Sequence, residues 1–106
     1  MILLSGSNGL LGSGLKKFFD LNKIKYLTIG REECDFEGDI KNNHFVENTI
    51  KKLSPKIFIN LAAITDVDYC EVNKDIAYKI NTEFPTLVSK TLQSINKDYF
   101  VIHIST

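Results

Sequence analysis

Gly6-Ser7-Asn8-Gly9-Leu10-Leu11-Gly12 sets glycines at GxxGxxG spacing. Glycine at such points lets a loop turn tightly, brings backbone N–H groups against a pyrophosphate, and lets a following helix lie close to a sheet. The pattern carries that meaning between a strand and a helix; elsewhere it is a set of turn glycines. Here the apolar run Met1-Ile2-Leu3-Leu4 precedes it and a helical stripe follows it, so a dinucleotide-binding loop is expected. In an NAD-specific unit an acidic residue about 20 positions further on holds the ribose hydroxyls. Gly30-Arg31 stands at that strand end instead. A guanidinium can take a 2′-phosphate through charge-assisted hydrogen bonds, so the cofactor is expected to be NADP or NAD, with NADPH slightly favoured. The competing reading of Arg31 is a solvated surface residue, and the adjacent Glu32 and Glu33 favour it.

The other reactive side chains read as structural. Asp66, Asp68 and Glu71 suggest a carboxylate cluster, but Asp66 is better placed as a helix cap, where N-terminal amides favour an anion, and no metal is expected. His103 sits in an apolar strand and reads as a core or sheet residue rather than a base. Cys34 and Cys70 have neither CxxC spacing nor clustered histidines, which argues against a zinc site or a disulfide scaffold and fits thiols in a reducing cytoplasm. Cys70 has no basic partner nearby in sequence and reads as inert.

Apolar spacing gives the elements that position these residues. Met1–Leu4 and Ile57–Leu61 are short, continuously apolar runs, the pattern of parallel strands buried on both faces. Tyr26–Ile29 and Phe100–Ile104 are further strands, and a short one is expected at Cys34-Asp35-Phe36. Helical stripes run through Leu11, Leu15, Phe18 and Phe19, through Val46, Ile50 and Leu53 up to Pro55, and through Val72, Ile76, Ala77 and Ile80. The cleanest stripe is Phe84, Leu87, Val88, Thr91, Leu92 and Ile95. Strands alternating with helices imply right-handed crossovers and a doubly wound α/β fold with a parallel sheet, the Rossmann arrangement, here cut after about five strands.

With 106 residues the chain is long enough for one domain. It is too short to add a substrate domain to a nucleotide-binding one. Residues 1–106 are therefore expected to be the N-terminal part of an NAD(P)-binding domain. Lys plus Arg balance Asp plus Glu at 13 each. The only adjacent basic pairs are Lys16-Lys17 and Lys51-Lys52, and no basic stripe with interleaved aromatics appears, so no nucleic-acid partner is expected. The N-terminal apolar run stops at Ser5-Gly6, so neither a signal peptide nor a membrane span is expected, and the location expected is cytoplasmic.

A second segment narrows the reading. Ile59-Asn60-Leu61-Ala62-Ala63-Ile64-Thr65-Asp66-Val67-Asp68-Tyr69-Cys70-Glu71, with Asn81 ten residues later, resembles the N-x-A-A-x-T-x-V-D-x-x-E stretch of the dTDP-4-dehydrorhamnose reductases. These are sugar-nucleotide reductases of the extended short-chain dehydrogenase/reductase family, whose glycine spacing the chain shares. Val101-Ile102-His103-Ile104-Ser105-Thr106 is similar to the strand that leads into the family's S-T-D-Y-V-F. The resemblance covers essentially the whole chain and implies NAD(P)H-dependent reduction of a 4-keto nucleotide-sugar.

Carried over by position, it implies that Gly6, Asn8, Gly9, Leu10 and Leu11 line the pyrophosphate with Gly12 completing the loop, and that Asp39 and Ile40 flank the adenine. Ala62, Ala63 and Thr65 would pass along the nicotinamide-side ribose. Ser105 and Thr106 match the substrate-binding hydroxyl position, with Thr106 as the catalytic hydroxyl that orients the carbonyl. The family's general acid is a tyrosine with a lysine four residues later, and none of Tyr26, Tyr69, Tyr78 and Tyr99 has that lysine. Activity is thus expected of a longer chain and not of these residues alone.

Some positions depart from the family. Ile64 stands where a polar or aromatic residue is common, and Tyr69-Cys70 replaces a Lys-Ala pair. Ser13-Gly14-Leu15 offers no carboxylate where some members use one for metal-assisted dimerisation; a homodimer stays open. The alternatives are a nucleotide-sugar epimerase or dehydratase of the same superfamily, and a non-catalytic NADP-binding regulatory subunit.

Overall fold

The computed structural model describes residues 1–63, 66–95 and 98–104. Five parallel strands, β1 (Ile2–Ser5), β2 (Tyr26–Gly30), β3 (Phe36–Glu37), β4 (Ile57–Asn60) and β5 (Phe100–His103), form one sheet in the order β3-β2-β1-β4-β5. The continuous apolar runs in β1 and β4 have the burial expected of them. Leu3 and Phe58 enter one core while Leu4 and Ile59 enter another on the opposite face.

Each core is closed by helices. Val46 and Ile50 of α2 (Asn43–Leu53) and Phe84, Val88 and Leu92 of α5 (Phe84–Ile95) cover Leu3, Ile29 and Phe58. Phe19 of α1 (Leu10–Leu21) covers Leu4 and Ile59. Helices on both faces of a parallel sheet make the fold doubly wound, the Rossmann class read from the sequence. The chain winds outward from β1 to β3 in one direction and from β4 to β5 in the other, so the switch point lies between β1 and β4. Ligands of such sheets bind outside the carboxyl ends of the strands at that point.

Two local elements differ from their sequence patterns. The strand expected at Cys34–Phe36 forms at Phe36–Glu37, because Asp35 is used otherwise. Its carboxylate accepts the Thr28 N–H at 2.9 Å and the Thr28 hydroxyl at 3.1 Å, and its own N–H donates to Thr28 Oγ1 at 2.9 Å. A side chain therefore closes that part of the β2 edge. The stripe Val72–Ile80 spans α3 (Val67–Val72), α4 (Lys74–Tyr78) and a π-helical turn (Lys79–Glu83) leading into α5. Pro85 has no N–H to donate, which breaks the α-helical ladder there, and the Phe84 N–H reaches five residues back to the Lys79 carbonyl. Asp66 caps α3 as expected, with Oδ1 accepting the Tyr69 N–H at 2.9 Å.

Candidate functional site

A cleft of about 580 Å³ opens at the carboxyl ends of β1, β2 and β4. Its wall from the glycine loop is Gly6, Asn8 and Gly9; from the segments after β2 come Arg31, Cys34, Asp39 and Ile40; Ala62 follows β4, and Tyr69, Ile76 and Ile80 close the far side. Gly6, Asn8, Gly9, Arg31, Asp39, Ile40 and Ala62, separated by up to 56 positions in sequence, thus share one cavity.

The three loop glycines are needed for different reasons. Gly6 has φ +72°, and a Cβ there would lie 2.4 Å from the Leu61 carbonyl carbon. Gly12 packs under the loop, where a Cβ would lie 2.3 Å from the Gly6 carbonyl oxygen. Gly9 is under no such pressure, since the nearest atom to its Cβ position is the Gly6 oxygen at 3.7 Å. What it leaves open is the cleft at the start of α1. Gly9 is the N-cap of that helix, with no side-chain cap and no acid in the first turn. Among the described residues nothing accepts from the N–H groups of Leu10, Leu11 and Gly12. Unsatisfied first-turn amides and the positive end of the helix dipole together make an anion seat.

Asn8 ties this loop to the segment after β2. Its Nδ2 donates to the Glu32 carbonyl at 2.7 Å, and its Oδ1 accepts from Lys16 Nζ at 3.2 Å. Ser7, buried beside it, has its hydroxyl 3.6 Å from Cys34 Sγ. Among the described residues no hydrogen bond or ion pair engages the Arg31 guanidinium; Glu33 instead donates its N–H to Glu37 Oε2 at 2.8 Å. Asp39 is taken up by Lys41, with Oδ1 accepting the Lys41 N–H at 2.9 Å and Oδ2 lying 3.7 Å from Nζ. Ile40 packs against the core shared by α2 and α5.

Other expected site residues lie elsewhere. Leu10 is 97% exposed and Leu11 is exposed on the surface of α1, and neither is part of the cleft wall. Gly12 lies beneath the loop, and Ala63 is exposed outside the cleft wall. Thr65, Ser105 and Thr106 are outside the described residues. Sequence reading missed the cleft roles of Lys41, Ile76 and Ile80, since the two isoleucines sit at the same i, i+4 spacing as core residues. It also missed Asn60, a fully buried amide that joins Ser5 to His103. Its signal was a polar residue ending an otherwise apolar strand. His103 belongs to the sheet as expected, but its ring is exposed rather than in the core.

Among the described residues no group of three or more His, Cys, Asp or Glu side chains is close enough to hold a metal ion, and no helix is long and apolar enough to cross a membrane. No disulfide joins Cys34 and Cys70.

The sequence and the fold are similar to those of known proteins. The chain is 32% identical over 106 residues to the dTDP-4-dehydrorhamnose reductase of Escherichia coli, a match covering 99% of the chain and 34% of that enzyme. A hypothetical dTDP-4-dehydrorhamnose reductase of Sulfolobus tokodaii superposes with a TM-score of 0.87 at 32% identity, over 98% of this chain and 38% of the other. The Bacillus anthracis dTDP-4-dehydrorhamnose reductase, solved in complex with NADP, superposes with a TM-score of 0.73 at 28% identity, over 89% and 32% of the two chains. The chain thus spans about a third of the length of these relatives. The model of the RmlD substrate binding domain matches residues 1–106 without a gap at either end, and the chain belongs to that family.

Proposed function

We propose that this chain is the NAD(P)-binding portion of a reductase acting on a 4-keto nucleotide-sugar. The observation that carries the reading is the start of α1: Gly9, a glycine with no steric reason of its own, lines a cleft at the switch point of the sheet, and it is followed by three backbone N–H groups that have no acceptor among the described residues. A Cβ at Gly9 would fill space that only a ligand needs, and unsatisfied amides suit the two charges of a pyrophosphate. The residues present therefore fit a dinucleotide.

In this reading the Leu10, Leu11 and Gly12 amides hold the pyrophosphate, Asp39 and Ile40 flank the adenine, and Arg31 meets a 2′-phosphate, which favours NADPH over NADH. Ala62, in the cleft wall, passes along the nicotinamide-side ribose, with the small residues Ala63 and Thr65 following it in sequence. Ser105 and Thr106 hold the substrate, and the Thr106 hydroxyl donates a hydrogen bond to the carbonyl oxygen on which negative charge develops. The bound cofactor supplies hydride to the sugar ketone. Proton donation to that oxygen needs a hydroxyl of tuned pKa, and no tyrosine of residues 1–106 has the lysine partner that would tune it.

Titration of the protein with NADPH tests the binding half; absence of saturable binding up to about 1 mM, the range of weak natural sites, overturns it. The catalytic half is tested by joining residues 1–106 to the remaining part of the Escherichia coli relative and following NADPH consumption with a 4-keto dTDP-sugar. A chimera that folds and binds NADPH but turns nothing over removes the reductase assignment.

A further inference from the structure

Ser5, Asn60 and His103 occupy one register row across three adjacent strands, Ser5 opposite Asn60 and Asn60 opposite His103. Gly6 follows Ser5 and Ala62 stands two residues past Asn60, and both are in the cleft wall, so the Ser5–Asn60 part of the row borders the cleft. Asn60 is fully buried, and a buried amide must find partners for both ends. Its Oδ1 accepts from the Ser5 hydroxyl at 2.7 Å and from the Ala62 N–H at 3.0 Å, while its Nδ2 is 2.9 Å from His103 Nδ1.

These bonds determine one another. The Ala62 N–H is a donor in any state, so the atom facing it must be the amide oxygen, and the NH₂ must face His103. His103 Nδ1 is then an acceptor, and the neutral ring carries its proton on Nε2. The opposite tautomer, like the imidazolium, would set N–H against N–H. The same peptide lies close against the glycine loop, since a Cβ added at Gly6 would come 2.6 Å from the Ala62 nitrogen. Asn60 therefore bonds a peptide that only a glycine at position 6 leaves room for.

We propose that His103 and Asn60 are a positioning pair for the cleft: the Nε2–H tautomer of His103 orients the Asn60 amide, which places the Ala62 backbone at the cleft wall and against the glycine loop. The proposal rests on the dinucleotide reading for its consequence but not for its geometry, so two measurements keep them separate. In the ligand-free protein, imidazole nitrogen chemical shifts at neutral pH report Nδ1 bare and Nε2 protonated, and the Ala62 amide resonance moves in His103→Leu, whose side chain cannot accept. His103 is exposed at the sheet edge, so this variant leaves the core intact.

With NADPH, His103→Leu weakens binding about tenfold, the scale of leaving one buried donor unpaired, whereas His103→Gln, whose side-chain oxygen can accept from Asn60, stays within about threefold of the parent. An Nδ1-protonated ring, or an unmoved Ala62 amide, overturns the pair. Equal NADPH affinity in His103→Leu and the parent overturns its effect on the cleft. A parent protein that binds no dinucleotide but shows both resonance signatures removes the cofactor reading and leaves the pair standing.

Discussion

Gly12 lies directly beneath Gly6: a Cβ on Gly12 would come within 2.3 Å of the Gly6 carbonyl oxygen and 2.8 Å of Ser7 Cα. Both obstacles are backbone, so relief requires the loop to lift away from α1. Gly12→Ala is expected to cost about 1–3 kcal/mol of folding stability, the usual scale of overpacking, and to weaken dinucleotide binding. Gly14, in the same helix, has nothing within 4 Å of its Cβ position, so Gly14→Ala should stabilise by about 0.5–1 kcal/mol through helix propensity. Denaturant midpoints of the two variants should move in opposite directions, and a shift of the same sign would contradict the packing described.

Gly9 separates binding from folding. With φ −75° and its Cβ position 3.7 Å from the nearest atom, alanine fits the free protein at a cost of no more than about 1 kcal/mol, that of a poorer N-cap. The methyl group would stand where a pyrophosphate approaches the helix amides. Gly9→Ala should therefore lose about tenfold or more in NADPH affinity, roughly 1.4 kcal/mol, while keeping a near-parental melting temperature. Undiminished affinity would place the ligand elsewhere.

The backbone of this site was more legible than its side chains. β1 and β4 are buried on both faces and so are apolar up to their last residues, Ser5 and Asn60, and Gly6 and Gly12 stand where any Cβ would strike backbone. Such constraints are local and leave a pattern in the residues themselves. The Ser5–Asn60 and Asn60–His103 bonds join positions 55 and 43 apart, and only the sheet order brings them together. Asp35 looked like a strand residue because nothing in its neighbourhood announces that its carboxylate will take the place of a ladder bond at Thr28. Ile76 and Ile80 share a spacing with buried helix residues, and periodicity does not distinguish a core from a cleft wall.

Tyr26 gives the protein an alkaline dependence unrelated to the cleft. Burial pushes its phenol pKa up, and the negative charge of Asp20, a hydrogen bond to Asp20 and the charge of Asp35 push it the same way. Because the folded-state value is raised, the stabilisation is complete below the unfolded tyrosine value of about 10 and is lost as pH rises through the folded one. Tyr26→Phe keeps the ring that packs 5.3 Å from Phe19 and removes the proton. Its melting temperature should fall less steeply than the parent's between about pH 9 and about pH 11. Parallel curves would mean that Tyr26 titrates alike in both states.

Arg31→Ala tests which of the two nicotinamide cofactors the cleft prefers. Both Arg31 and Lys41 reach the cleft, but Lys41 is held by Asp39, whereas no described residue pairs with the Arg31 guanidinium. An unpaired guanidinium gives up no internal bond when it meets a phosphate, and a 2′-phosphate is what separates NADPH from NADH. Arg31→Ala should weaken NADPH about tenfold or more, the scale of a charged hydrogen bond, and leave NADH within about twofold. The parental preference should also narrow with added salt, since an exposed charge pair is screened. Calorimetric titrations of both cofactors at two salt concentrations measure this directly. Equal losses for the two cofactors would reduce Arg31 to a surface residue and transfer the question of selectivity to the other residues of the cleft wall.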